Sequence, residues 1–293
     1  MRPQQIGDFG VSRVVEMEFA AFAGDFIFPD SDPEIFAANA DWLEPHFVEP
    51  VKRLLIMSFH TYIVRTPRHT ILVDMCVGDD KERPHRPMWH RKHSDFMAKL
   101  AAAGVAPESV DFVMCTHMHA DHVGWNTKLL NGKWVPTFPN AKYIFARKEY
   151  EFWAAAQKAA KADEPVNHGS YNDSVLPVVE AGRAVLVADD HEVERGMWLA
   201  PAHGHTPGNV IINLQSKDRH AILTGDVLHH PVQFAAPKWS TRFCEDEAES
   251  RRTRVGLIER CADTPTTILT AHFPSPTAGR IVRQGNAFRF QMI

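Results

Sequence analysis

The sequence predicts an α/β fold, and we expect it to form one domain over residues 1–293. Short apolar runs, which are typical of buried strands, alternate with longer runs of helical periodicity. The chain is 44% hydrophobic and 23% charged, so its 293 residues hold enough apolar material for a sizeable core. Candidate functional residues lie from His117 to His272, and one domain must bring them together.

Twelve segments carry this prediction, three of them helical and nine strand-like. The helical segments combine good helix formers with apolar residues at helical spacing, and they are residues 94–103, 147–161 and 246–262. The strand-like segments are apolar and short, and they are residues 53–59, 61–66, 70–75, 111–116, 142–146, 184–188, 209–214, 220–225 and 266–271.

Four potential metal ligands lie within six residues, directly after the strand predicted at residues 111–116. They are His117, His119, Asp121 and His122. His117 and His119 have the two-residue spacing that places side chains on one face of an extended chain. A solvated polar turn is the alternative, since the chain contains 17 histidines. The density of ligands at a strand end favours a metal site.

Three further candidates repeat this order of strand, ligand and loop. His205 lies in a segment rich in glycine and proline, while Asp226 and His272 each end an apolar run. Taken singly, each residue has an alternative role in a turn or as a hydrogen-bonded group at a strand end. Zinc binds histidine nitrogen and carboxylate oxygen, so seven such ligands suit two metal ions better than one.

Together these residues resemble the metallo-β-lactamase superfamily. In the family's order, the chain has a His-x-His-x-Asp-His motif at residues 117–122, Gly-His-Thr-Pro-Gly at 204–208, Thr-Gly-Asp at 224–226, and the late strand-end histidine His272. The resemblance covers roughly residues 54–290. Asp74 is similar to the family's early aspartate, which would orient a ligand or a loop.

The resemblance implies both the architecture and the metal ligands. The fold would be a four-layer αβ/βα sandwich, in which two mixed sheets pack face to face with helices outside. The ligands would hold two divalent metal ions, with zinc as the metal: His117, His119 and His205 for the first ion, Asp121, His122 and His272 for the second, and Asp226 as the bridge.

The end of the chain resembles one branch of this superfamily, which contains methyl parathion hydrolase and related lactonases. N-acyl homoserine lactonases often carry a tyrosine shortly after the bridging aspartate. Here the third residue after Asp226 is His229, which weakens a specific assignment to those substrates. The branch implies a lactonase or esterase and leaves the natural substrate open.

These assignments imply a dinuclear zinc hydrolase. Two zinc ions share a water and lower its pKa towards about 7, so a bridging hydroxide would attack a lactone or activated ester, with phosphotriesters as a further class. Asp121 is a candidate for moving the proton, and His229 is the alternative donor to the leaving group. Three alternatives stay open: an iron-dependent persulfide dioxygenase, a glyoxalase-type thioesterase and a non-catalytic metal-binding module.

Composition argues against several kinds of partner. A net charge of −4 without a run rich in lysine and arginine disfavours nucleic acid, and no segment is apolar for long enough to cross a bilayer. The first nine residues contain no continuous apolar run of the kind a signal peptide has, so we expect a cytoplasmic location. Four widely separated cysteines predict reduced thiols. We therefore expect a small-molecule substrate and no membrane partner, with a homodimer as the one candidate assembly.

Two long irregular segments are predicted to shape the entrance to the site. Residues 77–91 are rich in charges and prolines, and residues 228–243 are rich in aromatic side chains. We predict substrate contacts mainly from the second segment, although packing in the core is the alternative for any single aromatic residue. The candidate contact residues are Trp125, His229, Phe234, Trp239 and Phe243.

Overall fold

The computed structural model describes residues 1–161 and 165–293, in which sixteen strands form two seven-stranded sheets and one two-stranded sheet. The α/β class predicted from the sequence is confirmed. The strands are β1 (Gln4–Ile6), β2 (Phe9–Phe22), β3 (Leu55–Arg65), β4 (Thr70–Val73), β5 (Phe112–Met114), β6 (Thr127–Leu130), β7 (Lys133–Pro136), β8 (Lys142–Ala146), β9 (Ala184–Val187), β10 (Glu192–Glu194), β11 (Met197–Pro201), β12 (Val210–Ser216), β13 (Arg219–Leu223), β14 (Thr267–Leu269), β15 (Ala278–Gln284) and β16 (Ala287–Met292).

Nine α-helices accompany these strands in the described residues. The three predicted helices are confirmed with slightly shorter bounds, as α4, α6 and α9 of the following set. The helices are α1 (Gly24–Ile27), α2 (Pro33–Ala38), α3 (Ala40–Leu43), α4 (Phe96–Ala102), α5 (Ala120–Val123), α6 (Arg147–Ala159), α7 (Leu176–Glu180), α8 (Val232–Ala235) and α9 (Glu247–Cys261). Over residues 1–161 and 165–293, none of the helices combines the length and apolarity that crossing a membrane requires.

Contacts along the chain divide it into two compact units. Unit 1 consists of Met1–Gly7, Met17–Ser58 and Asp190–Ile293, and unit 2 consists of Asp8–Glu16 and Phe59–Asp189. The single domain over residues 1–293 stays a prediction. All four cysteines are free thiols, as the sequence predicts.

The first seven-stranded sheet has the order β1-β2-β3-β4-β5-β8-β9. Its strands β4, β5, β8 and β9 pair in parallel, while β3 pairs with β4 in the antiparallel direction. Neighbouring parallel strands end at the same edge of a sheet. The residues that follow β4 and β5, which include Asp74 and His117, therefore start from one edge.

The second seven-stranded sheet has the order β10-β11-β12-β13-β14-β15-β16. Strand β12 is antiparallel to both β11 and β13, so β11 and β13 run in the same direction. Strand β14 is parallel to β13. The segments after β11, β13 and β14 therefore leave from one edge of this sheet, and they carry His205, Asp226 and His272 respectively.

Trp125 belongs to the core of unit 2, so its prediction as a substrate contact is wrong. Its ring stacks on Phe96 with 5.2 Å between ring centroids, and only 6% of the residue is exposed. Its indole N–H donates to Glu16 Oε1 at 2.6 Å. The buried Glu16 carboxylate also accepts from the backbone N–H groups of Val77 and Gly78, at 3.0 and 3.1 Å.

Two more of the predicted aromatic contacts are core residues of unit 1. Phe234 is fully buried and stacks on Phe290 with 5.4 Å between centroids, and Trp239 packs against Phe28 at 6.1 Å. An aromatic residue has a large apolar area to bury, and here both rings are buried in the core, Phe234 from within the short helix α8. Phe243 is less buried and meets the ring of Phe26, so it keeps a surface position.

The segment at residues 77–91 is fixed by two buried cations. Arg83 is fully buried and binds both carboxylate oxygens of Asp173, at 2.6 and 2.9 Å. Lys81, which is also fully buried, donates to Thr127 Oγ1 at 2.7 Å and lies over the Trp134 ring. Burial, together with Arg83, lowers the pKa of Lys81 to about 7 against the opposing effect of Asp173. The Asp173 carboxylate thus compensates charge that water cannot reach.

Replacing Asp173 should therefore destabilise unit 2 strongly. We expect Asp173→Ala to lower the free energy of unfolding by about 3–5 kcal/mol, because Arg83 would stay buried without its carboxylate. Urea unfolding followed by tryptophan fluorescence measures this change. Glu82→Ala is the matched control, since Glu82 pairs with Arg91 at the surface of the same segment, where water screens the ion pair and its loss should change the stability little. Equal effects of the two substitutions would contradict the prediction.

Candidate metal centre

The first ligand loop follows β5 and turns directly into α5. His119 is the last residue before this helix, and the backbone N–H of His122 donates to the His119 carbonyl at 2.9 Å. The loop thus changes from extended to helical backbone within the ligand motif. Ring centroids lie 4.7 Å apart for His117 and His119 and 4.0 Å apart for His117 and His122. The three imidazoles form one cluster.

Asp74 holds this loop from the neighbouring strand end, as the sequence suggests. Its carboxylate accepts from the backbone N–H of Thr116 at 2.8 Å, and its Oδ2 lies 3.1 Å from His122 Nδ1. Asp74 has a φ of 57°, a left-handed conformation that aspartate tolerates better than most residues. Thr116 Oγ1 in turn lies 3.1 Å from His117 Nδ1. These contacts engage Nδ1 of both histidines and orient Nε2 for a ligand.

His205 depends on a glycine that no other residue can replace without strain. Gly204 has a φ of +119°, and a Cβ added there would lie 2.1 Å from the Ser250 backbone nitrogen in α9. The carbonyls of Gly204 and His205 accept from the N–H groups of Asp246 and Glu245, both at 2.9 Å. The loop therefore packs closely on the start of α9, and this packing fixes the backbone of His205.

The side chain of His205 has a partner that the sequence did not reveal. Cys244 Sγ lies 3.6 Å from His205 Nδ1 and 3.3 Å from Ser250 Oγ. The two residues are 39 positions apart, and Cys244 has no motif of its own. Like Asp74 and Thr116 in the first loop, Cys244 occupies the Nδ1 side of an imidazole and orients its Nε2.

The carboxylate of Asp226 lies between three imidazole side chains. Its carboxylate oxygens lie 3.2 Å from His205 Nε2, 3.2 Å from His272 Nε2 and 3.1 Å from His229 Nε2. His272 Nδ1 lies 3.2 Å from the Ser58 carbonyl, so its Nε2 is also oriented by a contact on the other nitrogen. All four residues of this cluster are at least 96% buried. The carboxylate and the Nε2 atoms therefore converge on one small volume.

Burial and charge act differently on the histidines around Asp226. Burial disfavours the imidazolium of His205, but the Asp226 carboxylate and the Cys244 thiol outweigh it and raise the pKa of His205 to about 10. Burial lowers the pKa of His229 to about 4, because the opposing effect of Asp226 is smaller there. At neutral pH, His229 is thus a neutral imidazole that can donate a hydrogen bond from one nitrogen.

Two groups of the predicted ligands could hold metal ions. In unit 2, four ligand candidates lie within six residues of one loop, and in unit 1 the Nε2 atoms of His205 and His272 lie 3.2 Å from Asp226. Imidazole nitrogens and carboxylate oxygens are donors that divalent metals, and zinc in particular, accept. The donor chemistry therefore fits divalent metal ions. The groups are His117, His119, Asp121 and His122 in unit 2, and His205, Asp226 and His272 in unit 1.

Comparison with known families agrees with this donor set. The model of the metallo-β-lactamase superfamily matches residues 60–276, which is well over half of the chain. The chain belongs to the metallo-β-lactamase superfamily. The recognition made from the sequence motifs is confirmed, and the matched region contains all seven proposed ligands.

Curated relatives of this superfamily member are named as lactonases. An N-acyl homoserine lactonase of Bacillus sp. is 27% identical over 136 residues, which are 46% of this chain and 45% of that protein. The N-acyl homoserine lactonase AttM of Azorhizobium caulinodans is 34% identical over 62 residues, which are 21% of this chain and 20% of the relative. The chain thus spans less than half the length of the curated relatives it matches.

Solved structures match the fold over nearly the whole chain. The hydrolase AbOPH of the β-lactamase superfamily has a TM-score of 0.81 at 23% identity, covering 99% of this chain and 96% of that one. AidC, described as a dizinc quorum-quenching lactonase, has a TM-score of 0.77 at 18% identity, covering 100% and 97%. At these identities the matches show the shared superfamily fold.

Proposed function

We propose that the protein is a dinuclear zinc hydrolase that opens lactones or cleaves activated esters. The observation that carries this proposal is the set of seven buried or half-buried nitrogen and oxygen donors, four in the first ligand loop of unit 2 and three around Asp226 in unit 1. The superfamily membership and the relatives named N-acyl homoserine lactonase support the reaction class. When bound, a pair of zinc ions would supply a nucleophile at neutral pH and neutralise negative charge that develops on the substrate.

Asp226 has the central role in the proposed site. Its carboxylate lies about equally far from the Nε2 atoms of His205 and His272, at 3.2 Å each. A carboxylate has two oxygens and can contact two metal ions at once, which imidazole cannot. We assign the bridging role to Asp226 on this ground.

The proton-transfer roles are divided between Asp121 and His229. The Asp121 side chain is 15% exposed, compared with 4% for Asp226, so solvent reaches Asp121 more readily. We propose Asp121 as the group that moves the proton. His229 is proposed to act at the leaving group, and its Nε2 lies 3.1 Å from Asp226 Oδ2.

The proposed substrate is a small molecule with an electrophilic carbonyl. Lactones come first because both curated relatives are named for lactone hydrolysis. Aryl esters and phosphotriesters follow, because their hydrolysis needs the same nucleophile and the same stabilisation of a negative oxygen. The cytoplasmic location, the homodimer and the methyl parathion hydrolase branch stay predictions.

Metal content and substrate turnover together test the proposal. The wild-type protein, purified without added metal, is analysed by inductively coupled plasma mass spectrometry and then assayed with lactones, aryl esters, thioesters and phosphotriesters. We expect two divalent ions per chain, predominantly zinc, and turnover of a lactone or an aryl ester.

Three results would overturn this function. No turnover of any of these substrates by the protein with two metals bound would exclude the hydrolase. One iron per chain with thiol-dependent oxygen uptake would indicate the persulfide dioxygenase instead. Turnover restricted to glutathione thioesters would indicate a glyoxalase-type thioesterase.

A further inference from the structure

The peptide groups on both sides of His119 are held by side chains from elsewhere in unit 2. The carboxamide of Asn167 accepts from the Ala120 N–H at 3.2 Å and donates to the Met118 carbonyl at 2.5 Å. Glu149 Oε1 accepts from the Met118 N–H at 2.9 Å. A single amide side chain therefore bridges the residue before His119 and the residue after it.

This contact needs an amide because it uses a donor and an acceptor in one planar group. The side chain of asparagine offers an N–H₂ group and a carbonyl oxygen, and it satisfies Met118 and Ala120 simultaneously. A carboxylate in its place would keep the acceptor for Ala120 and lose the donor for Met118. The hydrogen-bond pattern matches the one that an additional strand would make with this extended segment.

The backbone of Asn167 has a left-handed conformation that suits asparagine. Asn167 has φ 49° and ψ 45°, and the following His168 has φ 57° and ψ 20°, so both are left-handed. Asparagine adopts this conformation more readily than most residues, because its short polar side chain forms local hydrogen bonds. The ring of His168 packs edge-on against Trp89, with 6.1 Å between centroids. This turn is thus anchored from two directions.

Glu149 provides the second support and is itself fixed. It is 1% exposed, and its Oε1 also accepts from the indole N–H of Trp153 at 2.7 Å. The Trp153 ring lies edge-on to the His119 ring, with 5.6 Å between centroids. Glu149 and Asn167 together leave the peptide groups around His119 little freedom to rotate.

We infer that Asn167 is a positioning residue for the metal ligand His119. Its amide fixes the two peptide groups that set the direction of the Cα–Cβ bond of His119 and hence the place of the imidazole. Zinc–ligand distances vary by only about 0.2 Å, so a ligand must be held closely to contribute its full affinity. The inference rests on the proposed function only in taking His119 as a ligand.

Metal binding by substituted proteins tests this role without relying on turnover. Asn167→Gly removes the amide and keeps a residue that accepts the left-handed backbone. Asn131→Gly is the matched control, because Asn131 has a φ of 50°, is exposed and lies in the turn after β6. Each metal-free protein is titrated with Co²⁺ by visible absorption and with Zn²⁺ against a chromophoric chelator.

We expect Asn167→Gly to bind one of the two metal ions about tenfold more weakly, the low end of the effect of residues that orient ligands. Its cobalt absorption band should also change in position or intensity, which a general loss of stability would not cause. Asn131→Gly should match the wild type in both measurements. Asn167→Asp, which keeps the acceptor alone, should lie between Asn167→Gly and the wild type.

Wild-type affinity and an unchanged cobalt band in Asn167→Gly would overturn this inference while leaving the proposed function intact. Thermal unfolding of the metal-free protein shows whether Asn167→Gly folds. If it does not fold, wild-type affinity and an unchanged cobalt band in Asn167→Asp would overturn the inference. An equal loss of metal affinity in Asn131→Gly would also overturn the inference. A wild type that binds no metal would overturn the proposed function as well.

Discussion

Asp226→Ala is expected to lose bound metal and hydrolase activity together. The substitution removes the carboxylate that lies within 3.2 Å of three imidazole Nε2 atoms, including those of His205 and His272. Losing several kcal/mol of transition-state stabilisation would lower kcat/KM by about 1,000-fold or more. Metal content should fall from the two ions per chain that we propose to one or none. Inductively coupled plasma mass spectrometry and a lactone assay measure the two effects on the same sample.

Asp218→Ala is the matched control for this prediction. Asp218 is an exposed carboxylate just before β13, whereas Asp226 follows the same strand at its other end. The control should keep wild-type metal content and activity. If Asp226→Ala retained both metal ions, Asp226 would not be the bridge, even if activity fell.

Gly204→Ala should disable the site through the backbone, with no ligand changed. The added Cβ would lie 2.1 Å from the Ser250 nitrogen and 2.6 Å from the Glu249 carbonyl carbon, so α9 or the His205 loop must move. We expect a loss of about 3 kcal/mol or more in the free energy of unfolding, from the collision and the strained φ together. We also expect weaker metal binding, because His205 is the next residue. Urea unfolding and a Zn²⁺ competition titration measure these losses.

Gly182→Ala separates the collision from the backbone strain. Gly182 also has a positive φ, +67°, but a Cβ there would meet nothing within 4 Å. Its substitution should cost about 1–2 kcal/mol, the penalty of a left-handed backbone alone, and should leave metal affinity unchanged. Equal destabilisation by both alanines, with equal metal affinity, would refute the role assigned to Gly204.

The proposed ligands could be predicted from the sequence because each lies in the segment that follows an apolar strand. β5, β13 and β14 are short and buried, and the residues after them are polar, so the change in composition marks the strand end. The sequence placed eight of the sixteen described strands within a few residues. It divided β3 into two strands, at residues 53–59 and 61–66, because His60 interrupts the apolar run, although the structure buries His60 within one continuous strand.

β2 was missed because its buried positions are not all apolar. Glu16 occupies one of them, and it is satisfied by N–H groups of Val77 and Gly78 that are more than 60 residues away in the chain. Because these partners are so distant in the chain, the sequence alone predicts that the charged Glu16 lies at the surface. For the same reason Cys244 could not be assigned to His205, since only the folded loop brings them within 3.6 Å.

The aromatic candidates show a different limit of sequence reasoning. Trp125 and Phe234 lie beside the ligands in the chain, but residue type does not indicate the direction in which a side chain points. Both turn into the core, where they bury more apolar area than a surface position would allow. The loop contacts that orient the ligands come instead from small polar groups such as Thr116 and Asn167.

The Glu16 carboxylate also bears on how unit 2 opens. It joins the β2 strand to the backbone at Val77 and Gly78, to the ammonium of Lys92 at 2.7 Å, and to the indole of Trp125, shortly after the ligand loop. If any one of these segments unfolded alone, the buried Glu16 carboxylate would lose hydrogen-bond donors. An unsatisfied buried carboxylate destabilises the remaining structure. These segments therefore form one cooperative unfolding unit, and the end of the first ligand loop opens with it instead of fraying locally.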